Sequence, residues 1–335
     1  MAIGGKLRVD PFLLAIIAAA ATASLLPARG VGLDALTLAT KVAIFCLFFL
    51  YGVRLHPEEA LNGLKHWRLH LTILAFTYLA FPLVGLGLQA LSPVPLSAAL
   101  YPGLLYVTLC PSTVQSSINF TSIARGNVAG AIVSASASNL LGVFLTPLLA
   151  IALMNTTGNA SVGWGSILDI VVQILVPFVL GQLSRRWTAN FVGRHRRLKL
   201  FDQGSIVLVV YAAFSQGMRE GIWGMVGVVD LVVLVGVCLG VLALMLAATW
   251  FAARRLGFSR ADAIAIQFCG TKKSLATGLP MATVLFAGHP IGLLMLPLIV
   301  FHQAQLMACS ALASRYARDP VVLDGSGRRV GRRGD

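Results

Sequence analysis

Acidic residues are scarce in this chain, and charged residues of either sign are few. Of its 335 residues only 12 are Asp or Glu, and all charged residues make up 11% of the sequence, against 57% hydrophobic residues. The mean hydropathy is +0.84. Polar surface this sparse cannot cover a soluble globule, so the composition excludes a soluble enzyme or binding module and predicts an integral membrane protein.

Cysteine spacing of the kind that forms disulfides or binds zinc is also missing. The five cysteines, which all lie in apolar stretches, are Cys46, Cys110, Cys238, Cys269 and Cys309. In such surroundings a thiol behaves as a small buried hydrophobic group. We therefore predict no redox chemistry, no metal site and no cofactor.

Apolar stretches close to the length that crosses about 30 Å of hydrocarbon recur along nearly the whole chain. No polar segment is long enough for a separate soluble domain. We predict an all-α transmembrane domain at 1–317 and a basic, disordered tail at 318–335. The ten predicted spans lie at about 11–27, 35–53, 69–91, 97–123, 128–153, 165–184, 203–219, 225–252, 259–288 and 290–314.

The lysines and arginines support this topology, because cytoplasmic connections are enriched in them. With the amino terminus in the cytoplasm, Arg29 and Arg219 lie on the opposite, extracytoplasmic side, and Lys41, Lys272 and Lys273 lie within spans. All other basic residues are then cytoplasmic. This predicts a multi-pass protein of the plasma membrane, the inner membrane in a bacterium, with both termini cytoplasmic. The net charge of +14 then reflects contact with anionic lipid headgroups rather than with nucleic acid.

The amino-terminal segment leaves an alternative open. The stretch "KLRVDPFLLAIIAAAATAS" has the basic start, apolar run and small residues of a cleavable signal peptide. Cleavage would leave nine spans, whereas the distribution of basic residues fits an even number better. We therefore favour a retained first span.

The two halves of the chain carry matching interruptions. A polar connection at 155–165 separates five spans, at about 10–153, from five others, at about 165–314, and an odd number per half forces opposite orientations. Span four contains "LCPSTVQSSINFTSIARGNV" and span nine contains "FCGTKKSLATGLPMATVLFAGHP". Paired interruptions of this kind predict an inverted repeat in which broken helices four and nine mark a solute site.

Each interruption has a cause in the backbone. Pro111 has no N–H to donate, and Gly270 favours departure from helical geometry. Groups freed in this way are tolerated only inside protein or beside a water-filled cavity. Ser259 to Asp262 reads as a capping box that starts a half-helix of about nine residues in span nine.

Lys272 and Lys273 follow the predicted break of span nine, near mid-membrane. A lysine at the bilayer centre costs about 2.5 to 3.5 kcal/mol, so an adjacent pair indicates a cavity for an anionic solute. Two alternatives remain: the lysines could be snorkelling anchors of a short helix that begins at Ser274, and the serines of span four could serve helix packing only.

The candidate solute-binding or ion-binding residues all lie beside one of the two breaks. They are Pro111, Ser112, Thr113, Gln115, Ser116, Ser117, Asn119, Gln267, Gly270, Thr271, Lys272, Lys273 and Ser274, with Ser134, Ser138 and Asn139 of span five as further candidates. On span ten, His302, Gln303 and Gln305 are expected to form hydrogen bonds between helices rather than to bind a ligand.

Several of these segments resemble the bile acid:sodium symporter superfamily. The similarity rests on "FCGTKKSLATGLPMATVLFAGH", "LCPSTVQSS", "GNVAGAIVSASASNLLGVFLTPLL", "VPFVLGQLSRR" and "GFSRADAIAIQFC", in that family's branch around the vertebrate seventh member, and it covers about residues 10–317. The resemblance implies ten helices in two inverted repeats, with helices four and nine broken and crossing. It also implies a core of spans three to five and eight to ten that moves against a panel of the other four.

The sequence departs from that family where sodium would bind. Ser117 matches a sodium ligand, but Phe268 stands in place of a glutamate, Ile118 in place of an asparagine, and Ala131 and Ala135 in place of hydroxyl residues. These departures argue against sodium coupling and leave proton coupling open.

No Asp or Glu occurs at 60–168 or at 263–318, so neither break carries a carboxylate. A lysine ammonium could instead supply the charge, and Lys273 is preferred because its position matches a solute-facing one in the family. We predict a carrier that binds an organic anion by alternating access. The alternative is a membrane regulator of calcium homeostasis that transports no solute, and an intramembrane enzyme is disfavoured because paired acids or a nucleophile with its base are missing.

Overall fold

The structure is a computed structural model whose described part stops short of both chain ends. The described residues are 11–54, 66–91, 97–154, 168–169, 171–195, 197–219, 221, 224, 226–287, 289, 291–318, 322–323 and 329–330. The predicted polar connection at 155–165 and most of the predicted disordered tail lie outside them. Within the tail, strands β1 (Val322–Leu323) and β2 (Arg329–Val330) pair antiparallel.

Helices account for nearly all of the described chain, because a helix satisfies its backbone hydrogen bonds internally, as a lipid environment requires. They are α1 (Pro11–Leu25), α2 (Val31–Arg54), α3 (Trp67–Leu91), α4 (Tyr101–Leu109), α5 (Val114–Ile123), α6 (Val128–Met154), α7 (Val176–Arg194), α8 (Arg197–Arg219), α9 (Val228–Arg255), α10 (Arg260–Thr271), α11 (Leu275–Leu285) and α12 (Ile291–Arg318). Helix α3 contains one π-helical turn, Phe76–Ala80, and a second π-helical turn, Val171–Leu175, precedes α7.

Six of these helices are long and apolar enough to cross a bilayer, namely α2, α3, α6, α8, α9 and α12. The protein is therefore a multi-pass, all-helical membrane protein. Helix α1 is shorter, and predicted spans four and nine are each divided between two short helices. Helix length and composition therefore support six of the ten predicted spans.

The junction of α9 and α10 shows how local sequence determines a helix boundary. Gly257 has φ +75°, a left-handed conformation that glycine adopts at little cost, and the N–H of Phe258 reaches back to the Ala253 carbonyl oxygen at 3.1 Å. Ser259 then caps α10, because its Oγ accepts the Asp262 N–H at 3.1 Å and donates to the Asp262 carboxylate at 2.8 Å. The predicted start of this half-helix is confirmed.

The chain divides into two compact units. The first unit comprises 1–55, 151–228 and 279–296, and the second comprises 56–150, 229–278 and 297–335. The second unit collects most of the predicted core spans, and the first collects the predicted panel spans. One difference is that 279–296, the junction of predicted spans nine and ten, groups with the first unit.

In the first unit, α2 and α7 pack through two facing glycines. A Cβ atom on Gly52 would lie 2.1 Å from the Phe178 carbonyl oxygen, and one on Gly181 would lie 2.2 Å from the Phe49 carbonyl oxygen. Small residues let the two backbones approach this closely, which is how helices commonly associate where no hydrophobic effect drives them together.

In the second unit, α10 is surrounded by apolar side chains. Ile264 and Phe268 pack with residues of α5 and α12, while Ile266 packs with Leu69 and Ile73 of α3. Every residue from Ala263 to Thr271 is buried. This short helix is therefore shielded on all sides, as a segment must be if it ends inside the membrane.

Candidate functional site

Span four is broken where the sequence predicted. Helix α4 ends at Leu109, Cys110 is extended with ψ 151°, and α5 begins at Val114. Pro111 explains the break, because a proline forces the residue before it out of helical geometry and has no N–H to continue the helix.

Span nine is also broken, but the position predicted from Gly270 was wrong. Gly270 is helical, α10 continues to Thr271 over 12 residues rather than about nine, and the extended residue is Lys272, with ψ 149°. A Cβ atom on Gly270 would lie 3.3 Å from Thr249 Cγ2 and 3.4 Å from Phe76 Cβ. This glycine therefore permits close packing of α10 and does not break the helix.

The two breaks bond directly to each other. The Ser274 N–H donates to the Pro111 carbonyl oxygen at 2.8 Å, and Ser112 Oγ donates to the Cys269 carbonyl oxygen at 2.6 Å. Ser117 Oγ reaches the Phe268 carbonyl oxygen at 3.3 Å. The broken segments thus contact each other, and each supplies partners for backbone groups that the other has lost.

Helix α6 closes this network from a third side. Asn139 Nδ2 donates to the Ser112 carbonyl oxygen at 2.5 Å, and its Oδ1 accepts Thr277 Oγ1 at 2.9 Å. Ser138 Oγ accepts the Ser112 N–H at 3.0 Å. Ser134 lies elsewhere, 2.6 Å from the Nδ1 of His70, so the structure brings two of the three span-five candidates to the breaks.

The Lys273 ammonium lies in a cage of three backbone carbonyl oxygens, hereafter the carbonyl cage. Its Nζ donates to Thr77 at 2.9 Å, to Thr108 at 2.7 Å and to Cys110 at 2.8 Å. It also lies 4.2 Å from the centroid of the Phe81 ring, within the range of a cation–π interaction. All three of its N–H donors are therefore used, and the side chain is 0% exposed.

Two prolines release these carbonyl groups. Thr108 and Cys110 end α4 next to Pro111, so their carbonyl oxygens face no following helical turn. In the π turn of α3 the Phe81 N–H bonds to the Phe76 carbonyl oxygen, five residues back. The residue that would serve Thr77 in the same pattern is Pro82, which has no N–H.

Lys272 is placed differently from its neighbour. Its side chain is also 0% exposed, and its Nζ lies 3.7 Å from the centroid of the Phe120 ring and 5.8 Å from that of Phe268. Among the described residues its Nζ has no hydrogen-bond partner. The described part of the protein therefore supplies two aromatic faces but no hydrogen-bond acceptor for this ammonium.

Two other candidates lie on a different face of α5. Gln115 and Asn119 are exposed, and Ser122, about one turn further on, is exposed as well. These three residues form a polar stripe along a helix whose opposite face is buried at Ser117 and Thr121. The structure does not bring the stripe to the carbonyl cage.

The remaining candidates bond to other protein groups. Thr113 Oγ1 and Ser116 Oγ are 2.7 Å apart, and Thr271 Oγ1 donates to the Gln267 carbonyl oxygen at 2.6 Å. The Gln267 amide is satisfied by the Leu246 carbonyl oxygen and by the Tyr316 hydroxyl. Both ends of the Gln267 amide are therefore bonded within the protein.

Several residues at this site were missed by the sequence analysis. Thr77, Thr108 and Phe81 surround Lys273, and Tyr78 donates to the Ser138 carbonyl oxygen at 2.5 Å. The one local indication is Pro82, which lies five residues after Thr77 and so marks a carbonyl without a partner.

Within the described ranges, no group of three or more His, Cys, Asp or Glu residues is placed to hold a metal ion.

Comparison with known proteins adds a family relationship. The profile of the SBF-like CPA transporter family matches residues 10–318. The chain is 50% identical to the protein PA2026 of Pseudomonas aeruginosa over 92% of this chain and 93% of that protein. It is 47% identical to "Putative symporter YfeH" of Escherichia coli K12 over 94% and 95%, and 32% identical to sodium/bile acid cotransporter 7-A of Xenopus laevis over 92% and 91%.

Proposed function

Because this chain belongs to the SBF-like CPA transporter family, we propose that it is a secondary carrier that binds a small organic anion at its broken helices and moves it by alternating access. The family is one of transporters, so the protein is not an enzyme. The predicted resemblance to the bile acid:sodium symporters is confirmed by the family profile and by the named relatives.

The observation that carries this proposal is the Lys272 ammonium. A buried charge without hydrogen-bond partners is strongly unfavourable, so it calls for a partner of opposite charge. The nearest carboxylate before Lys272 in the sequence is Asp262 and the nearest after it is Asp319. Asp262 is engaged by Ser259 and Asn127 at the start of α10. The anionic group of a solute would supply the missing acceptors.

Lys273 is less suited to this role than the sequence suggested. Its three donors are already bonded to backbone oxygens, so a solute could bind it only by displacing them. We therefore assign solute binding to Lys272, whose ammonium faces Phe120 of the neighbouring α5.

The exposed stripe on α5 supports a solute path. Gln115, Asn119 and Ser122 lie in a helix within predicted span four, where amide side chains facing lipid would be costly. A water-filled cavity along this face removes that cost. Because Lys272 is sealed from solvent in the present conformation, a solute reaches it only in a second one, as alternating access requires.

The membrane arrangement proposed here is ten spans in two inverted five-helix repeats, with the short helices α4 with α5 and α10 with α11 counted as broken spans. In this arrangement both termini are cytoplasmic, and the protein is located in the bacterial inner membrane. The distribution of Lys and Arg supports the orientation, and the Escherichia coli and Pseudomonas aeruginosa relatives support the location.

The test starts from purified protein in detergent, screened by thermal shift against steroid sulfates, bile acids, small carboxylates, sodium, protons and calcium. An anion that stabilises the protein is then titrated into wild type and into Lys272→Met, whose side chain is one atom shorter and uncharged. Truncating one partner of a buried charge pair costs about 2 kcal/mol or more, so the Kd should rise roughly 30-fold. Lys199→Met, an exposed lysine of α8, is the matched control.

Uptake by the purified protein in liposomes decides between a carrier and a regulator of calcium homeostasis. Accumulation of the stabilising anion, lost in Lys272→Met and retained in Lys199→Met, is the expected result. Unchanged anion affinity in Lys272→Met, or binding without any uptake, would overturn the proposal.

A further inference from the structure

The carbonyl cage around Lys273 has the composition of a monovalent cation site. Three backbone oxygens converge on one positively charged atom at 2.7 to 2.9 Å, and an aromatic face closes a fourth side. Carbonyl oxygens that point at one centre are how proteins replace the hydration shell of a cation.

The cage also lies where the protein's own dipoles favour positive charge. Thr108 and Cys110 are at the carboxyl end of α4, which carries partial negative charge. Thr77 contributes the carbonyl that the π turn and Pro82 leave without an N–H. These groups are held by the backbones of α3 and α4, so the cage does not depend on the lysine side chain for its oxygens.

We propose that Lys273 is a built-in cation: its ammonium permanently fills a site that, without this side chain, would bind a small monovalent cation or a primary alkylammonium ion. The protein would then need no free sodium to hold the crossing of its broken helices. The inference deepens the proposed function by accounting for the coupling ion, but the carbonyl cage can be tested without any solute.

The test truncates the Lys273 side chain and supplies the removed fragment as a free compound. Lys273→Ala deletes a fragment equivalent to n-propylamine, so n-propylammonium chloride is the probe and n-propanol, of the same shape without the charge, is its control. Choline chloride maintains the ionic strength. Lys272→Ala, the neighbouring buried lysine outside the cage, is the matched variant.

We expect Lys273→Ala to lower the apparent Tm by about 5 °C or more, since three charge-assisted hydrogen bonds are lost. n-Propylammonium should restore at least half of this loss, whereas n-propanol should not. Wild type should respond to neither. Lys272→Ala should gain less from n-propylammonium than Lys273→Ala does, because the Lys272 ammonium has no hydrogen-bond partner among the described residues. Sodium and potassium chloride, compared with choline chloride, should also stabilise Lys273→Ala while leaving wild type unchanged.

A second variant covers the case in which Lys273→Ala does not fold. Lys273→Met fills the same space with no charge and no donor, so it should be less stable than wild type and should not respond to n-propylammonium. The Lys273→Met protein could also fail to reach normal amounts in the membrane when it is expressed. If Lys272→Met is expressed at the wild-type level in the same cells, that result also supports the requirement for charge in the cage.

The proposal is overturned if Lys273→Met is as stable as wild type, or if n-propanol restores Lys273→Ala as well as n-propylammonium does. Either result would mean that the side chain only fills space. The proposed anion site fails separately, through unchanged anion binding in Lys272→Met, so the two failures are distinguishable.

Discussion

Gln305 holds the backbone of Lys273 from both sides. Its Oε1 accepts the Lys273 N–H at 2.8 Å, and its Nε2 donates to the Lys273 carbonyl oxygen at 2.8 Å. Lys273 lies between α10 and α11, so no regular helical hydrogen bond serves these two groups. Together with His302 Nδ1, 3.3 Å from the same carbonyl oxygen, Gln305 confirms the prediction that span ten contributes hydrogen bonds between helices.

Gln305→Leu should therefore be strongly destabilising. The substitution keeps the volume and leaves the Lys273 N–H unpaired and its carbonyl oxygen with only the longer contact to His302. An unpaired buried backbone group costs about 1 to 3 kcal/mol. We expect the apparent Tm of the purified protein to fall by roughly 5 °C or more. Gln303→Leu, two residues away and only half-buried, is the control. Equal losses in the two variants would contradict the assigned role of Gln305.

The polar stripe of α5 can be tested by chemical accessibility. Asn119→Cys, in a Cys46→Ser background that removes the one native cysteine not fully buried, should react with a hydrophilic thiol reagent in permeabilised membranes. Cysteine reacts as the thiolate, which needs water, so we expect a rate roughly tenfold or more above that of Leu83→Cys. Leu83 is 59% exposed on α3, where an apolar side chain faces lipid. Similar, slow labelling of both variants would exclude a water-filled cavity along α5.

The two breaks differ in how far the sequence could locate them. Pro111 acts on its own backbone, so the break after α4 was predictable at the right residue. Span nine has no comparable local cause. Its first half-helix ends next to Lys273, whose N–H donates to the side chain of Gln305, 32 residues away. Gly270 allows close packing against Thr249 and Phe76. Neither relationship is visible in a local sequence pattern.

The surroundings of the two adjacent lysines could not be predicted from a local sequence pattern either. Composition and position indicated that both are buried, and both are 0% exposed. What separates them is the surroundings of each ammonium: Lys273 meets carbonyl groups from Thr77, 196 positions away, and Lys272 meets the Phe120 ring. The sequence preference for Lys273 as the solute-binding residue rested on a family position, which does not report whether its donors are already occupied.

A double-mutant cycle can measure the contact between Lys272 and Phe120. With Nζ 3.7 Å from the ring centroid in a desolvated site, the cation–π interaction should be worth about 1 to 2 kcal/mol if the lysine is charged. Phe120→Leu, Lys272→Met and the double variant are compared by denaturant or thermal unfolding, and the non-additivity is the coupling energy. Phe301→Leu, whose ring packs on Phe81 instead, is the control and should combine additively with Lys272→Met. A coupling energy near zero for Phe120 would mean that Lys272 is held uncharged.

The glycine pair of the first unit makes a prediction that is independent of the site. Alanine at Gly52 or Gly181 places a methyl group 2.1 to 2.2 Å from a backbone oxygen, which no side-chain rotation can relieve. The helices must move apart, and overpacking of this kind costs about 1 to 3 kcal/mol or more. Gly236→Ala in α9 is the matched control, because a Cβ there meets no atom within 4 Å and alanine should stabilise the helix by roughly 0.5 to 1 kcal/mol. In thermal unfolding we expect Gly52→Ala and Gly181→Ala to lower the apparent Tm and Gly236→Ala to leave it unchanged or raise it.

Because the two methyl groups would separate the same pair of helices, the double variant Gly52→Ala with Gly181→Ala should lose less stability than the sum of the single losses. Full additivity would show that the two glycines pack as separate contacts rather than as one.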